Sequence, residues 1–314
     1  MKDLRGKFAL ITGGDSGIGL GIARAFLGVG MRVAITYRTP EHLALALAAL
    51  EGSKGRVLAI ELDVTDRSAV AAAVEGARGA FGNIHVLVNN AGVAPLVPLS
   101  NATFDDWDWC LDVNVNGVFN CVQAVLPHMR QHGEDAHIVA TSSMVGGIIV
   151  GPYWGVYSTS KFAVVGMMEA LRAELAHLNI GVSIFCPGSV QSRINLSDRN
   201  RPDTLSDSGQ PDDELSLRIN CFHRAMFDAI VKTGGEQPLM DPLEAGSAVL
   251  RGIQSDDLYI FSHPEYAQAL ADRNEALMAS ILNDNQVKFP TRIAMAEVAR
   301  NPIYTKELAK RRRP

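Results

Sequence analysis

The sequence predicts an α/β protein with a doubly wound parallel sheet of about seven strands and helices on both faces. Short apolar runs alternate with longer helical patterns along the chain, and the runs are apolar throughout. A strand without polar alternation is buried on both faces, as in a parallel sheet. Right-handed crossovers between such strands give a doubly wound arrangement.

Each element is predicted from its own residues. Apolar runs predict the strands Phe8–Thr12, Arg32–Tyr37, Val57–Glu61, Ile84–Val88, His137–Ala140, Val182–Phe185 and Leu258–Phe261. Segments with apolar residues on one helical face predict the helices Gly17–Gly30, Glu41–Glu51, Ser68–Phe81, Phe104–His132, Pro264–Leu282 and Arg292–Arg311. Asp66 is the expected N-cap of the third of these helices.

The whole chain, residues 1–314, is predicted to form a single domain with two additions. Residues 191–237 are a long polar insertion, which in a compact domain is typical of a lid or a disordered loop, and we interpret it as a substrate lid. Residues 263–314 form a helical C-terminal extension. The extension is expected to cover the cleft or to lie in a subunit contact.

Composition excludes several classes of protein. The chain of 314 residues has 29 Lys and Arg against 34 Asp and Glu, a formal net charge of −5, which argues against a nucleic-acid partner. No apolar stretch is long enough to span a membrane, and the first residues lack a secretory apolar region. The four cysteines are scattered and no metal site is predicted. We therefore expect a cytoplasmic protein with free thiols.

A glycine-rich turn joins the first predicted strand to the first predicted helix. From residue 12 to residue 19 it reads Thr-Gly-Gly-Asp-Ser-Gly-Ile-Gly. Glycines allow close approach to a pyrophosphate, and the helix N-terminus offers free N–H groups to it. Ordinary tight packing is the alternative interpretation. The context favours dinucleotide binding, with the candidates Gly13, Asp15, Ser16, Gly17, Ile18 and Gly19.

Six motifs in order resemble the short-chain dehydrogenase/reductase family over residues 5 to 262. Besides the glycine turn they are Asn89-Asn90-Ala91-Gly92, Asn114, Ser142-Ser143, Tyr157-x-x-x-Lys161 and Pro187-Gly188. The resemblance implies a Rossmann fold, an NAD(P)-dependent oxidoreductase, and a homodimer or homotetramer. It also implies that Asn90, Ala91 and Gly92 contact the cofactor, that Lys161 binds its ribose, and that Asn114 maintains a proton relay.

Tyr157 and Lys161 are the candidate proton-transfer pair. They lie four residues apart and so share a helix face. A free tyrosine, with a pKa of about 10, is a poor base at neutral pH, and a nearby ammonium together with an oxidised nicotinamide is expected to lower that pKa. The phenol then protonates a carbonyl oxygen during reduction, while Ser143 orients the same oxygen. The neighbouring Ser142 and Asn116 are not expected to take these roles.

Cofactor choice is predicted from the end of the second strand. Tyr37-Arg38 stands where a carboxylate would bind the 2′-hydroxyl of NAD, and a guanidinium pairs well with the 2′-phosphate of NADP. NADP(H) is therefore favoured, with NAD(H) as the alternative because the glycine turn carries no basic residue. By resemblance, Asp63 and Val64 contact adenine, although Asp63 is also a plausible helix cap.

The segment after the sixth strand and the predicted lid complete the candidate site. By resemblance, Pro187, Gly188, Val190 and Ser192 close over the nicotinamide, Val190 through its backbone; a simple turn is the alternative. The predicted substrate contacts are apolar or aromatic, namely Val145, Tyr153, Trp154, Phe222 and Met226. They indicate a bulky apolar or aryl substrate, although packing of the lid explains them equally.

The overall layout and the Leu258–Glu265 stretch resemble bacterial dehydrogenases that act on benzylic alcohols of aryl ethers. This resemblance does not assign the substrate. The other hypotheses are a cofactor-binding sensor without turnover and a non-redox lyase or epimerase. A sensor of this kind typically loses the tyrosine or the lysine, and both are present here. The retained glycines Gly13, Gly17 and Gly19 argue against the lyase or epimerase.

Overall fold

Seven parallel strands form the central sheet of the protein. The computed structural model describes residues 1–95, 97–151, 153–205, 239–281 and 300–311. The strands are β1 Phe8–Ile11, β2 Arg32–Tyr37, β3 Val57–Glu61, β4 Val86–Asn89, β5 Ala136–Thr141, β6 Ile180–Cys186 and β7 Tyr259–Phe261. Their order is β3-β2-β1-β4-β5-β6-β7, with every pair parallel. The predicted doubly wound sheet is confirmed.

Helices cover both faces of this sheet. They are α1 Gly17–Gly28, α2 Pro40–Ala49, α3 Arg67–Phe81, α4 Phe104–Leu111, α5 Gly117–His132, α6 Gly155–Glu174, α7 Pro242–Ser255, α8 Ala267–Ala279 and α9 Pro302–Arg311. The apolar strands explain the layering, because Phe8 and Leu10 of β1 pack into one core and Ala9 and Ile11 into the other. Asp66 caps α3 as predicted, accepting from two backbone N–H groups.

The helix predicted over Phe104–His132 is confirmed in its extent, but the π-helical turn at its centre was not predicted. Helix α4 ends at Leu111, a π-helical turn spans Asp112–Asn116, and α5 begins at Gly117. The turn holds Asn114, whose Oδ1 accepts the N–H of Val93 and whose Nδ2 donates to the carbonyl of Val93, both at 2.8 Å. A wide turn of this kind redirects side chains and is common at functional sites.

The two predicted additions are only partly described. Over the first three residues of the helix predicted from Pro264 to Leu282, the structure has a 3₁₀ turn, Pro264–Tyr266. Helix α8 starts only at Ala267. Of the predicted lid, residues 191–205 are described, and Phe222 and Met226 lie outside the described residues. None of the helices in the described ranges combines the length and apolar character needed to cross a membrane.

Candidate active site

A cleft of about 840 Å³ opens at the carboxyl ends of the strands. The chain runs from β1 outward to β3 and then returns to β4 on the other side of β1, so the strand order reverses between β1 and β4. Such a reversal leaves a crevice where ligands of open α/β sheets bind. Most of the residues singled out in the sequence line this one cleft, from Gly13 and Arg38 at one end to Tyr157 and Trp154 at the other.

The glycine turn forms the floor of the cleft. Gly13 and Gly17 have φ of +59° and +47°, which glycine adopts without strain. At Gly19, a Cβ would lie 2.1 Å from the carbonyl oxygen of Gly13, so only glycine fits. Ser16, the N-cap of α1, makes no side-chain bond to the helix. The first N–H groups of α1 are therefore not capped by that side chain.

Asn90 links the glycine turn to the end of β4. Its Nδ2 donates to the carbonyls of Thr12 and Gly13, at 3.2 and 3.1 Å. The Thr12 hydroxyl accepts the N–H groups of Asn90 and Ala91, at 2.9 and 3.0 Å. Gly92 follows, and a Cβ there would contact both Asn114 Oδ1 and Lys161 Nζ. The segment after β4 thus contacts the glycine turn through Asn90 and lies close to Lys161 at Gly92.

Tyr157 and Lys161 project from the same face of α6. Lys161 Nζ lies 5.6 Å from the centroid of the Tyr157 ring and donates to the carbonyl of Thr141 at 3.0 Å. The lysine is 5% exposed, and this burial lowers its pKa from 10.5 to about 8. The cation nevertheless still predominates at neutral pH.

The sequence predicts that Lys161 and a bound oxidised nicotinamide together lower the pKa of Tyr157, whereas in the protein alone this pKa is raised. Burial raises the pKa of Tyr157 to about 12, and a hydrogen bond with Ser143 only partly offsets that rise. The phenol therefore stays protonated at neutral pH. In this state Tyr157 is suited to donate a proton.

Ser143 lies beside Tyr157 at the end of β5. Its Oγ donates to the carbonyl of Val145 at 2.6 Å, within a distorted π turn, Met144–Ile148. Gly146 in this turn has φ of +104°, and a Cβ there would lie 2.9 Å from the Tyr157 ring. Ser142 turns away, and its hydroxyl donates to the backbone carbonyl of Lys161 at 2.9 Å. The two serines therefore have different surroundings, as predicted.

Asn114 lies behind the cleft rather than on its wall. It is fully buried, and its Nδ2 donates to Ser160 Oγ at 2.9 Å as well as to the Val93 carbonyl. Ser160 in turn donates to the backbone carbonyl of Tyr157 at 2.7 Å. Sequence reasoning missed Ser160, although its position three residues after Tyr157 places both on neighbouring parts of one helix face. The network orients the helix that carries Tyr157.

The opposite end of the cleft is rich in arginine. Arg38 lies 3.2 Å from Asp63 Oδ2 and donates to the carbonyl of Asn200 at 3.4 Å. Arg193 and Arg199 line the same end, and sequence reasoning missed both because they follow β6, far from β2 in the chain.

Asp15, in the glycine turn, lies among these cations. Burial raises the pKa of Asp15, while its own backbone hydrogen bond and the positive charges of His42, Arg199 and Arg193 act against that rise. His42 Nδ1 is 3.7 Å from Asp15 Oδ2. The basic residues that the glycine turn lacks are thus brought to it from other segments.

The segment after Ser192 is anchored across the cleft by two contacts. Ser197 Oγ accepts the N–H of Ala94 at 3.0 Å. Arg201 donates to Asp106 Oδ1 at 2.6 Å, with side chains only 9% and 0% exposed, and its guanidinium lies 4.4 Å from the centroid of the Trp109 ring. These contacts hold the segment that carries Arg193 and Arg199.

The loop from Pro187 to Ser192 closes the cleft beside β6. The N–H of Met240 donates to the carbonyl of Ser189 at 3.1 Å, and the N–H of Gln191 donates to the carbonyl of Met240 at 3.0 Å. This parallel bridge uses the residues on either side of Val190, so the N–H and C=O of Val190 itself are directed away from Met240. Ser192 packs against Gly17, where a Cβ would come within 2.9 Å of it.

Of the described residues that were predicted to contact the substrate, some line the cleft and one does not. Val145 and Trp154 line the cleft, and the Trp154 and Tyr157 rings pack edge to face with centroids 6.4 Å apart. Tyr153, in a left-handed conformation with φ of +65°, is not among the described lining residues. Tyr266, which was not predicted, is among them. The wall near Tyr157 is thus largely apolar.

Comparison with known proteins identifies what the chain is similar to. A family model described as short chain dehydrogenase matches residues 7–203. The chain is 34% identical over 282 residues to a C alpha-dehydrogenase of Sphingobium sp. strain SYK-6, covering 90% of this chain and 88% of that protein.

Two solved structures extend the comparison. A short chain dehydrogenase/reductase from Burkholderia phymatum in complex with NAD has a TM-score of 0.80 and 30% identity, covering 89% of this chain and 96% of the other. A short chain dehydrogenase from Burkholderia cenocepacia in complex with NADP has a TM-score of 0.66 and 30% identity, covering 84% and 100%.

Proposed function

The chain belongs to the short-chain dehydrogenase/reductase family of oxidoreductases, and from that premise we propose that it interconverts a ketone and a secondary alcohol with NADP(H). The observation that carries the proposal is the placement of Tyr157, Lys161 and Ser143 together on the wall of the one cleft that also contains the glycine turn.

A nicotinamide dinucleotide fits the residues present. Gly19 leaves no room for a side chain, so the turn stays open to a backbone-bound pyrophosphate at the start of α1. Ile18, Val64 and Ala91 line the cleft nearby. The N–H and C=O of Val190 would pair with the carboxamide, and Lys161 with the ribose. When bound, the nicotinamide would supply or accept the hydride.

The residues of the chain transfer the proton and orient the carbonyl group of the substrate. In reduction, the protonated Tyr157 hydroxyl donates its proton to the substrate oxygen. Ser143 exchanges its bond to the Val145 carbonyl for one to the same oxygen, which orients the substrate. Asn114 acts through its bonds to Val93 and Ser160, which hold the relay beside Lys161.

Three arginines support the preference for NADP(H). Arg38, Arg193 and Arg199 line the end of the cleft beside β2, and guanidinium groups suit a 2′-phosphate. NAD(H) is the second candidate cofactor. One contact favours it, because the Arg38 guanidinium proposed for the 2′-phosphate already forms an ion pair with Asp63. The ratio of kcat/KM for NADPH and NADH decides between them, and Arg38→Leu should lower only the NADPH value if the first proposal is correct.

The apolar wall supports a bulky apolar or aryl substrate. Val145, Ile149, Trp154 and Tyr266 line the cleft near Tyr157. A panel of aryl ketones and steroid ketones, assayed by the absorbance of reduced nicotinamide, tests the proposal. Ketone-dependent oxidation of NADPH is the expected result. If small phosphorylated sugars were the better substrates, the proposed substrate class would be wrong.

We also propose that the protein forms a homodimer or homotetramer. Phe104 on α4 is 87% exposed and Leu99 just before it is 56% exposed, an apolar area that self-association would cover. Light scattering after size exclusion measures the state. A monomer at micromolar concentration would contradict the proposal.

A further inference from the structure

His263 is a buried histidine directly behind the loop that closes the cleft. It follows β7, is 8% exposed, and begins the turn Pro264–Tyr266. Its Nδ1 accepts the N–H of Gly188 at 3.0 Å, and its Nε2 lies 3.3 Å from the carbonyl oxygen of Ser189. The first contact requires an acceptor nitrogen and the second a donor. These two contacts fit the tautomer of the ring that carries its proton on Nε2.

The imidazole thus bonds to two consecutive residues of one loop. The His263 ring also packs closely against Gly188, since a Cβ on Gly188 would lie 2.6 Å from the ring. The hydroxyl of Ser262, 2.8 Å from Nδ1, donates to the same nitrogen. The Tyr266 ring packs edge to face on the His263 ring, with centroids 6.3 Å apart. Rotation of the imidazole would break all of these contacts together.

The loop has two other points of attachment, and His263 lies between them. The carbonyl of Pro187 accepts the N–H of Met144 at 2.9 Å, and the bridge to Met240 holds Ser189 and Gln191. Gly188 has neither attachment, and His263 supplies the bond to its N–H. The direction in which Val190 presents its N–H and C=O depends on the peptides before it. His263 is therefore placed to set that direction.

We propose that His263 is a positioning residue, which holds the Pro187–Val190 loop in the shape that directs the Val190 backbone into the cleft toward a primary carboxamide. The proposal rests on the proposed function, since the carboxamide is that of nicotinamide. His263 itself touches neither substrate nor cofactor in this role. Its effect is confined to the nicotinamide end of the cleft.

Three variants of His263 test its two hydrogen bonds, to Gly188 and to Ser189, separately. His263→Asn keeps an acceptor near Gly188, His263→Gln keeps a donor near Ser189, and His263→Leu removes both. His177→Leu is the matched control, because His177 is an exposed histidine on the loop after α6. Amide hydrogen exchange of residues 188–191 is measured first, without any nucleotide. We expect exchange in His263→Leu to be about tenfold faster or more, with smaller increases in the other two variants.

Nucleotide binding is measured next by fluorescence and calorimetry. For His263→Leu we expect the Kd of NADPH to rise about tenfold, while the Kd of 2′,5′-ADP, which has no nicotinamide, stays within twofold of the wild-type value. A general loss of stability would weaken both ligands, so equal weakening would overturn the proposal. Unchanged loop exchange together with unchanged NADPH affinity would overturn it as well.

The two proposals fail in different ways. A wild-type protein that binds NADPH but has no Tyr157-dependent turnover would refute the proposed function and leave the binding comparison valid. If His263→Leu does not fold, the Asn and Gln variants carry the test, and exchange equal to wild type in both would refute the role of His263.

Discussion

Replacement of Lys161 by methionine should stabilise the free protein at neutral pH while abolishing its activity. The lysine is 5% exposed, and burial lowers its pKa from 10.5 to about 8. At about 1.4 kcal/mol for each pKa unit, this difference corresponds to about 3 kcal/mol of folding free energy that depends on pH. Methionine fills a similar volume without the buried charge.

The sign follows from proton binding. Between pH 8 and 10.5 the unfolded chain holds the Lys161 proton and the folded chain has released it, so Lys161 contributes a rise of about 3 kcal/mol with pH to the wild-type stability. Below pH 8 both states hold the proton, and this gain is absent. The Lys161→Met variant lacks the rise entirely. Its advantage over the wild type should therefore be largest below pH 8 and should shrink toward pH 10.5.

Urea unfolding followed by circular dichroism at pH 7, 8, 9 and 10 measures this difference. Lys54→Met is the matched control, because that side chain is 84% exposed and should leave stability close to wild type. A stability difference between Lys161→Met and wild type that stays constant from pH 7 to pH 10 would refute the reasoning, because it would mean that Lys161 is not a buried cation.

Three further changes have defined outcomes. Gly19→Ala places a Cβ 2.1 Å from the Gly13 carbonyl oxygen, so calorimetry should show loss of nucleotide binding, and binding at wild-type affinity would contradict the described turn. Arg201→Met leaves the buried Asp106 without its cationic partner and should cost about 3 kcal/mol in urea unfolding. Adding Asp106→Asn should recover part of that loss, and strictly additive losses would argue against the pair. Ser143→Ala should lower kcat about a hundredfold with an unchanged nucleotide Kd, and an unchanged kcat would remove Ser143 from the mechanism.

The fold was predictable because burial on both faces leaves a simple sequence pattern. The residues of β1 alternate between two cores and are apolar throughout, so a strand buried on both faces was predictable from this run. Tyr157 and Lys161 were recognised from the family motif Tyr-x-x-x-Lys, and their four-residue spacing placed both on one face of a helix. The family motifs, taken in their order along the chain, indicated the remaining candidate site residues.

The missed features depend on contacts between distant segments. The π turn at Asn114 exists because its side chain bonds to Val93, twenty-one residues earlier in the chain. Arg199 reaches the cleft from a segment that carries no motif, and His263 lies behind the loop that closes it. The raised pKa of Tyr157 in the protein alone was not predicted, because a four-residue spacing shows the neighbouring lysine but not the burial of the phenol.

The central claim is that the Tyr157 hydroxyl transfers the proton in a ketone–alcohol interconversion. The most direct measurement compares Tyr157→Phe with wild type in both NADPH affinity and ketone-dependent turnover. Removal of one oxygen atom should leave the Kd of NADPH within about twofold and lower kcat by at least about a thousandfold. If Tyr157→Phe turned over the same ketone at the wild-type rate, the claim would be contradicted.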